Sequence, residues 1–299
     1  MGELESIQVF LAIVEQGSFA GAARQLGLTP ASVTRTIAAL EGRLGVQLLV
    51  RTTRQLSLTS AGAIYAARVG PLARGLADAA SELREAQGQV SGLLRISAPI
   101  ALGRVLLPEV LARFAALHPD AQVVLDLSDR FVDILDEEHD LAIRISGPPE
   151  GSSTIWRKIS QVPRVLVASP AYLQGHGVPR LPGDLAAHAC LAHGTDARGE
   201  LWELERAGHR HAHVAQGRLS ANNADLLARL ALGGQGIARL PRFIIAQDLA
   251  RGDLVETLGD WASPPIWLTL YYPPYDRLPL KVKAFSDLFE THVHAVGLG

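Results

Sequence analysis

Residues 18–42 read SFAGAARQLGLTPASVTRTIAALEG, two short helical patterns joined at one glycine. Ser18 is a good N-cap, because its hydroxyl can accept from a backbone N–H that the first turn leaves without a partner. Ala22, Ala23 and Leu26 then share one face, and the small alanines let a second helix cross closely. Gly27 ends the helix, since glycine takes the left-handed conformation cheaply. Leu28 fills the gap between the helices. Thr29 caps a second helix, and Pro30 takes its first position, where a missing N–H costs nothing. Val33, Ile37 and Leu40 recur at spacings of four and three and so face inward. Ser32, Thr34, Arg35, Thr36 and Arg43 are left for the outer face. Two short helices about a tight turn, the second with a polar outer face, describe a reader of the DNA major groove. The early residues of such a helix meet base edges, here Pro30, Ala31, Ser32, Thr34 and Arg35.

The flanks agree. Leu4, Ile7, Phe10, Leu11 and Val14 predict a leading helix that packs beneath the pair. After the second helix, Gly45 to Val50, Arg51-Thr52-Thr53-Arg54 and Leu56-Ser57-Leu58 read as a two-stranded wing. Its basic tip, with Arg51, Thr53 and Arg54, suits phosphates or the minor groove. Residues 18–60 hold arginines 24, 35, 43, 51 and 54 against the single acid Glu41, although the whole chain carries −2. The basic character is therefore local. An ordinary amphipathic hairpin would not combine caps, turn, wing and charge in this way.

This segment resembles the LysR-type transcriptional regulators. Leu-Thr-Pro-Ala-Ser-Val-Thr-Arg at 28–35 is similar to the start of that family's recognition helix. Arg51-Thr52-Thr53-Arg54 through Thr59-Ser60-Ala61-Gly62 is similar to its wing and the beginning of its linker helix. The family more often has Phe where Leu49 stands. Ser18 and Thr29 join the expected DNA-binding set as helix-starting hydroxyls.

At 299 residues the chain predicts two or three domains. Its 48% hydrophobic and 19% charged content fits well-cored globular units. The start Met1-Gly2-Glu3-Leu4-Glu5 carries no basic-apolar export signal. No apolar run is long enough to span a membrane. The lone cysteine, Cys190, has no partner for an internal disulfide. These readings predict a cytoplasmic protein with no membrane partner, and Cys190 is expected to be a buried small hydrophobe.

From Ser60 to about Gly88 no strand pattern occurs. Tyr65, Val69, Leu72, Leu76, Ala79, Leu83, Ala86 and Val90 follow a 4-3 spacing, the seam of a paired helix. Tyr65, Val69, Leu72, Leu76 and Leu83 are the expected dimerisation residues. Pro71 predicts a kink, and Gly88 and Gly92 a hinge.

From residue 92 strands alternate with helices. Leu93–Ser97, Val123–Ser128 and Asp140–Ser146 are expected strands, with helices opening at Pro99 and spanning Phe131–Glu138. That order implies a parallel sheet, with ligands outside the carboxyl ends of the strands. The helix at Pro99 offers N–H groups suited to a carboxylate. A second unit follows: strand Arg164–Ala168, a cap at Ser169-Pro170, helix Ala224–Leu232, strand Ile237–Leu240, strand Trp267–Tyr272 and a terminal helix. Two lobes joined by strands near 164–168 and 267–271 would enclose a cleft.

This part resembles the effector-binding domain of the same family, itself similar to periplasmic solute-binding proteins. Asp140 to Ile145, Val165 to Tyr172 and Gly234 to Pro241 carry the likeness. The resemblance implies effector contacts at Ser97, Pro99, Ile100, Ser128, Gly147 and Asn222, and a homodimer within a homotetramer or larger ring.

The expected fold is thus α plus α/β. A winged helix-turn-helix domain occupies 1–59, a linker and dimerisation helix 60–90, and a two-lobed effector domain 91–299. Lobe I covers about 91–164 and 268–299, and lobe II about 165–267. The expected function is sequence-specific transcriptional regulation modulated by a small effector. The partners are double-stranded DNA carrying an inverted-repeat operator, a small molecule such as a carboxylate, and RNA polymerase as a further candidate. A ligand-binding transport protein without DNA activity is the alternative, which the basic segment 18–54 disfavours. An enzyme is disfavoured because no Walker loop, Gly-x-Ser-x-Gly or His-Glu-x-x-His occurs. Neither a catalytic residue nor a cofactor is expected. Asp136-Glu137-Glu138 reads as a solvated helix end, and Gly233-Gly234-Gln235-Gly236 as a turn. His209, His211 and His213 alternate on an expected strand. Arg210, Ala212 and Val214 alternate with them and include the apolar members, so the histidines are expected to face water rather than a metal.

Overall fold

Two helices of the N-terminal unit begin where the hydroxyls of Ser18 and Thr29 cap them. In a computed structural model that describes residues 2–51, 56–85, 87–130, 139–146, 155–196 and 198–298, the chain divides into two units, one up to Gln87 and one from Gly88. In the first unit, helix α1 (Glu3–Gln16) precedes α2 (Phe19–Gln25) and α3 (Pro30–Leu44). Gly17, Gly27 and Gly45 follow these helices with φ of 60°, 65° and 68°. Strands β1 (Leu49–Arg51) and β2 (Leu56–Leu58) pair antiparallel, and α4 spans Ser60–Glu85. Val9, Phe10, Ile13, Ala22, Ala23, Val33, Ile37, Leu40 and Leu48 form one core.

Three details correct the expected faces. In α1 the core residues are Val9, Phe10 and Ile13, while Leu4 and Val14 are exposed. The burying stripe is therefore rotated by about one position. Leu26 lies beyond the end of α2 and is exposed, because the helix stops at Gln25. Thr36 is buried instead of polar-facing, and its hydroxyl donates to the Ser32 carbonyl at 2.9 Å. Helix α4 continues through Pro71.

The second unit has two five-stranded sheets. Strands β3 (Gly92–Ala98), β4 (Ala121–Leu127), β5 (Leu141–Ser146) and β6 (Ile155–Val162) enter the first sheet, with α5 (Ile100–Val105) and α6 (Leu107–Leu117) between β3 and β4. Then β7 (Arg164–Ala168), α7 (Pro170–His176), β8 (Cys190–His193), β9 (Glu200–Arg206), β10 (His209–Ala215), β11 (Ser220–Ala221), α8 (Ala224–Leu232), β12 (Ile237–Pro241), α9 (Ala246–Arg251) and β13 (Val255–Thr257) build the second lobe. The chain returns to the first lobe with β14 (Ile266–Tyr272) and α10 (Leu280–Val296).

The sheet orders are β4-β3-β5-β14-β6 and β11-β8-β12-β7-β13. β3, β4 and β5 are parallel, as the βαβ pattern demands, whereas β14 runs antiparallel beside β5, and β6 pairs antiparallel with β14 and so shares the direction of the first three. The strands at 164–168 and 266–272 do not themselves cross between lobes. Their ladders keep β7 in lobe II and β14 in lobe I, and the chain passes over at Pro163 and at residues 258–265. Leu94, Ile96, Phe114, Phe285 and Phe289 pack the first lobe. Leu166, Tyr172, Cys190, Trp202 and Leu204 pack part of the second. Burying side chains of this size contributes roughly 1.5–3 kcal/mol each. The expected helix at Phe131–Glu138 lies outside the described residues. Among the described residues, no helix is long and apolar enough to cross a membrane.

Two of the three histidines of β10 turn the other way from the expectation, while His209 is exposed as expected. His211 and His213 are half-buried, while Ala212 and Val214 are exposed. His213 faces Trp202, with ring centroids 6.1 Å apart, and its Nε2 lies 3.6 Å from Cys190 Sγ. The large indole of Trp202, opposite His213 in the hairpin register, decides the facing. Among the described residues, no group of three or more His, Cys, Asp or Glu is placed to hold a metal ion.

Candidate DNA interface and ligand cleft

The hydroxyls that start α2 and α3 both cap their own helices. Ser18 Oγ accepts from Gly21 N at 3.0 Å, and Thr29 Oγ1 accepts from Ser32 N at 3.2 Å. Each hydroxyl keeps its own O–H to donate outward. Pro30, Ala31, Thr34 and Arg35 are exposed at the start of α3, and Ser32 is half-buried beside them. Val33, Ile37 and Leu40 anchor the opposite face.

The wing is fixed to this helix by an acid. Glu41 Oε1 accepts from Leu48 N at 2.8 Å and Leu49 N at 3.1 Å. The lone acid of the basic segment is thus a backbone anchor, a role that its isolation among five arginines signalled without specifying. The far end of the wing is fixed by Thr59, whose Oγ1 donates to Gln47 O at 2.7 Å and accepts from Gly62 N at 2.9 Å. Gly62 passes so close to the wing that a Cβ there would stand 2.0 Å from the Leu48 carbonyl oxygen. Arg51 pairs with Leu56 through its backbone. Its side chain lies outside the described residues, as do Thr53 and Arg54.

Along α4, Tyr65 packs on Phe10 at 5.5 Å between ring centroids, and Val69 is buried within its own unit. Leu72, Leu76 and Leu83 are 73%, 53% and 73% exposed. The predicted seam therefore has a covered beginning and an open remainder.

In the second unit a cavity of about 350 Å³ lies between the lobes at the ends of several strands. Pro99, Ser128 and Asn222, three of the effector contacts that the family likeness implies, line it. Ser97 does not; it is buried and its Oγ accepts from Arg144 Nη2 at 2.8 Å. Arg144 Nη1 donates to Ile143 O at 2.7 Å, which leaves the guanidinium at the cleft wall. Ser97 therefore reaches the cleft through Arg144. Ile100 is exposed, and its N–H donates to Asp129 Oδ1 at 3.1 Å. Asp129 Oδ2 accepts from Asn223 Nδ2 at 2.5 Å. The helix N-terminus that the sequence offered to a ligand carboxylate is thus capped by a carboxylate of the chain itself. Gly147 lies outside the described residues.

The sequence reading missed the arginines of the cleft. Arg144, Arg164 and Arg239 line it, one each from LAIRIS, RVLVA and IARLP. A single arginine inside an otherwise apolar strand was the available signal, since a buried charge needs a partner. Arg239 Nη2 stands 2.5 Å from Glu200 Oε1 and also donates to Leu201 O at 3.1 Å. Glu200 Oε2 accepts from His193 N at 2.8 Å and Trp202 Nε1 at 2.9 Å. Arg164 Nη2 donates to Pro264 O at 3.0 Å. Burial, then the nearby Arg239 charge, lowers the Arg164 pKa to about 10.

Residues 87–293 match the LysR substrate binding domain, and residues 4–63 match the bacterial regulatory helix-turn-helix protein, lysR family. The chain belongs to the LysR-type transcriptional regulators. As such it carries an N-terminal DNA-binding domain and a two-lobed substrate-binding domain. The reading as a transport protein without DNA activity is not favoured.

Relatives of this LysR-type regulator match along nearly its whole length. The HTH-type transcriptional regulator PtxR of Pseudomonas aeruginosa is 35% identical over 290 residues, covering 97% of this chain and 93% of its own. The full-length structure of the Vibrio cholerae virulence activator AphB is 32% identical with a TM-score of 0.62, covering 96% of this chain and 98% of that one. CrgA, a LysR-type transcriptional regulator from Neisseria meningitidis, is 30% identical with a TM-score of 0.62, at the same 96% and 98% coverage.

Proposed function

We propose that this regulator reads an inverted-repeat operator as a homodimer within a tetramer or larger ring, and that a small effector in the interlobe cleft sets its grip on DNA. The observation that carries the reading is the pairing of an exposed polar start to α3 with a cleft walled by two lobes of one domain. Ser32, Thr34 and Arg35 meet base edges. Ser18 and Thr29 donate to phosphates from helix starts, where the backbone dipole favours anions. Arg51, Thr53 and Arg54 touch the flanking backbone or minor groove. Leu72, Leu76 and Leu83 pair with the same residues of a second copy, which covers apolar surface that the single chain exposes.

Pro99, Ser128 and Asn222 contact the effector, while Ser97 acts by holding Arg144. Ile100 and Gly147 complete the set that the family likeness suggests. The coupling is linkage: a ligand that binds one lobe arrangement better than another shifts the population and with it the operator affinity or bend. RNA polymerase is the downstream partner, the compartment is the cytoplasm where the operator lies, and no catalytic step is assigned.

The test measures operator affinity and bend by fluorescence with and without fractionated metabolites. An effector fraction should change one of them reproducibly. If no fraction changes affinity, bend or transcription, the effector half of the reading fails.

A further inference from the structure

The two lobes are joined by main chain on one side and by side chains on the other. In the lobe I sheet, β14 and β6 lead into the crossovers and form one side of the sheet; in the lobe II sheet, β7 and β13 do the same. The strands at the far edges are β4 and β11. Asp129 follows β4, and Asn223 follows β11. These two side chains meet between the lobes, Asn223 Nδ2 donating to Asp129 Oδ2 at 2.5 Å. Each also holds a helix start in its own lobe. Asp129 Oδ1 accepts from Ile100 N at the start of α5, and Asn223 Oδ1 accepts from Leu226 N in the first turn of α8 at 2.8 Å. One residue pair therefore ties the N-terminal ends of α5 and α8. A second tie runs beside it. Arg104, in the last turn of α5, donates from Nη2 to Asp225 Oδ1, in the first turn of α8, at 2.5 Å. Both arms are stiff. A Cβ on Gly103 would stand 2.6 Å from Leu127 Cδ1, so α5 lies directly on the end of β4. Leu227, Ala228 and Ala231 bury α8 in lobe II.

We propose that Asp129–Asn223 and Arg104–Asp225 form a latch that holds the lobes together on the side away from the crossovers. Its parting is the step by which the lobes swing apart about Pro163 and residues 258–265. Asp129, Asn222 and Ala224 line the cavity, so the latch stands at its wall. The Arg104 side chain is half-exposed, and an ion pair in that setting is weak and screened by salt. Rigid arms with a weak join suit a contact that opens and closes as a unit. Closure here is set by charge and hydrogen bonding between side chains of this chain itself. The passage of the latch's state to DNA rests on the reading of the cleft as the site that governs operator binding; the latch does not.

The test uses the full chain, spin-labelled through Gln174→Cys on α7 and Thr291→Cys on α10, exposed positions in lobe II and lobe I. Cys190 is buried and stays unlabelled. Labelled chain is diluted with unlabelled chain, so that the distance within one chain is read. Asn223→Asp keeps an N-cap of similar quality for α8 but sets a second carboxylate against Asp129. It should shift and broaden the distance distribution. The exchange of Asp129→Asn together with Asn223→Asp again faces a donor with an acceptor, and it should return the parent distribution. Arg104→Glu should shift the distribution in the same sense as Asn223→Asp. A melting curve for each variant confirms folding, with Arg104→Gln in place of Arg104→Glu should the latter unfold. A parent-like distribution in either single variant, or an exchange as displaced as Asn223→Asp alone, overturns the latch. Operator affinity is measured on the same variants. It should change by about fivefold or more in Asn223→Asp and recover in the exchange. If the distances move while operator affinity does not, the latch stands and the coupling of the cleft to DNA fails.

Discussion

Glu41 Oε1 accepts the backbone N–H of Leu48 at 2.8 Å, so the recognition helix and the wing are tied by one carboxylate. A second bond, from Leu49 N, locks the first strand of the wing to the same oxygen. Hydrogen bonds to a charged acceptor contribute roughly 1.5–3 kcal/mol each. Glu41→Ala should destabilise the DNA-binding unit by about 2 kcal/mol or more and loosen the wing. Glu41→Gln, whose carbonyl can still accept, should cost less. Chemical unfolding of the two variants and the parent checks the order, and equal stability in all three would contradict it.

The exposed start of α3 and the wing should fail differently when altered. Arg35→Ala and Ser32→Ala should relax the choice of base at the half-site. Arg51→Ala and Arg54→Ala should weaken binding evenly across sequences and reduce the salt slope by about one unit per lost phosphate contact. Binding titrations against a randomised half-site at several salt concentrations separate these outcomes. If all four substitutions leave both affinity and base choice unchanged, the DNA surface is elsewhere.

Leu72, Leu76 and Leu83 are exposed along α4 at seam spacing. Leu72→Glu or Leu76→Glu should leave the fold of a single chain intact, because neither side chain is covered within it. Each should weaken self-association by about tenfold or more, the scale of losing one buried leucine. Sedimentation velocity across a dilution series reads this directly. Unchanged association in the double variant would place the dimer contact off this helix.

Cys190 is buried against the Leu185 and His188 carbonyls, each 3.8 Å from Sγ, and burial pushes its thiol pKa up to about 12. The folded state therefore keeps the thiol proton after an unfolded chain, with its ordinary value of 9.0, has lost it. The folded state binds more protons in that interval, so stability falls as pH rises from about 9 toward 12. Cys190→Ala should flatten this alkaline decline, whatever it does to stability at neutral pH. Native protein should also resist alkylation that the unfolded chain undergoes rapidly. Fast labelling of the native protein would contradict the burial.

Much of this molecule was legible because caps and periodicity acted together. Ser18, Gly27, Thr29 and Pro30 fix helix ends by local chemistry, and the structure places those ends accordingly. The parallel strands of lobe I were legible as apolar runs between helices. β6, from Ile155 to Val162, was not. It pairs on one side only, at the sheet edge, and its Arg157, Lys158 and Gln161 break the apolar pattern. The facing of β10 was misjudged because alternation alone does not say which side meets the core. Trp202 on the opposite strand supplies that information only once the hairpin register is set.

The cleft was legible by its strand ends but not by its charge. Pro99 and Ser128 follow from where strands stop, and Asn222 from the family likeness. Arg144, Arg164 and Arg239 meet only through tertiary packing, since they lie on three strands in two sheets. The same packing turned the helix start at Pro99 from a ligand site into a site capped by Asp129, a residue distant in sequence.

The most direct measurement is selection of genomic fragments by the purified chain at two salt concentrations, with Arg35→Ala carried in parallel. An inverted repeat retained at the higher salt by the parent chain, with its base preference blurred in Arg35→Ala, is the predicted result. Fragments that share no repeat, or an identical repeat recovered with both proteins, would contradict the account of how this regulator reads DNA.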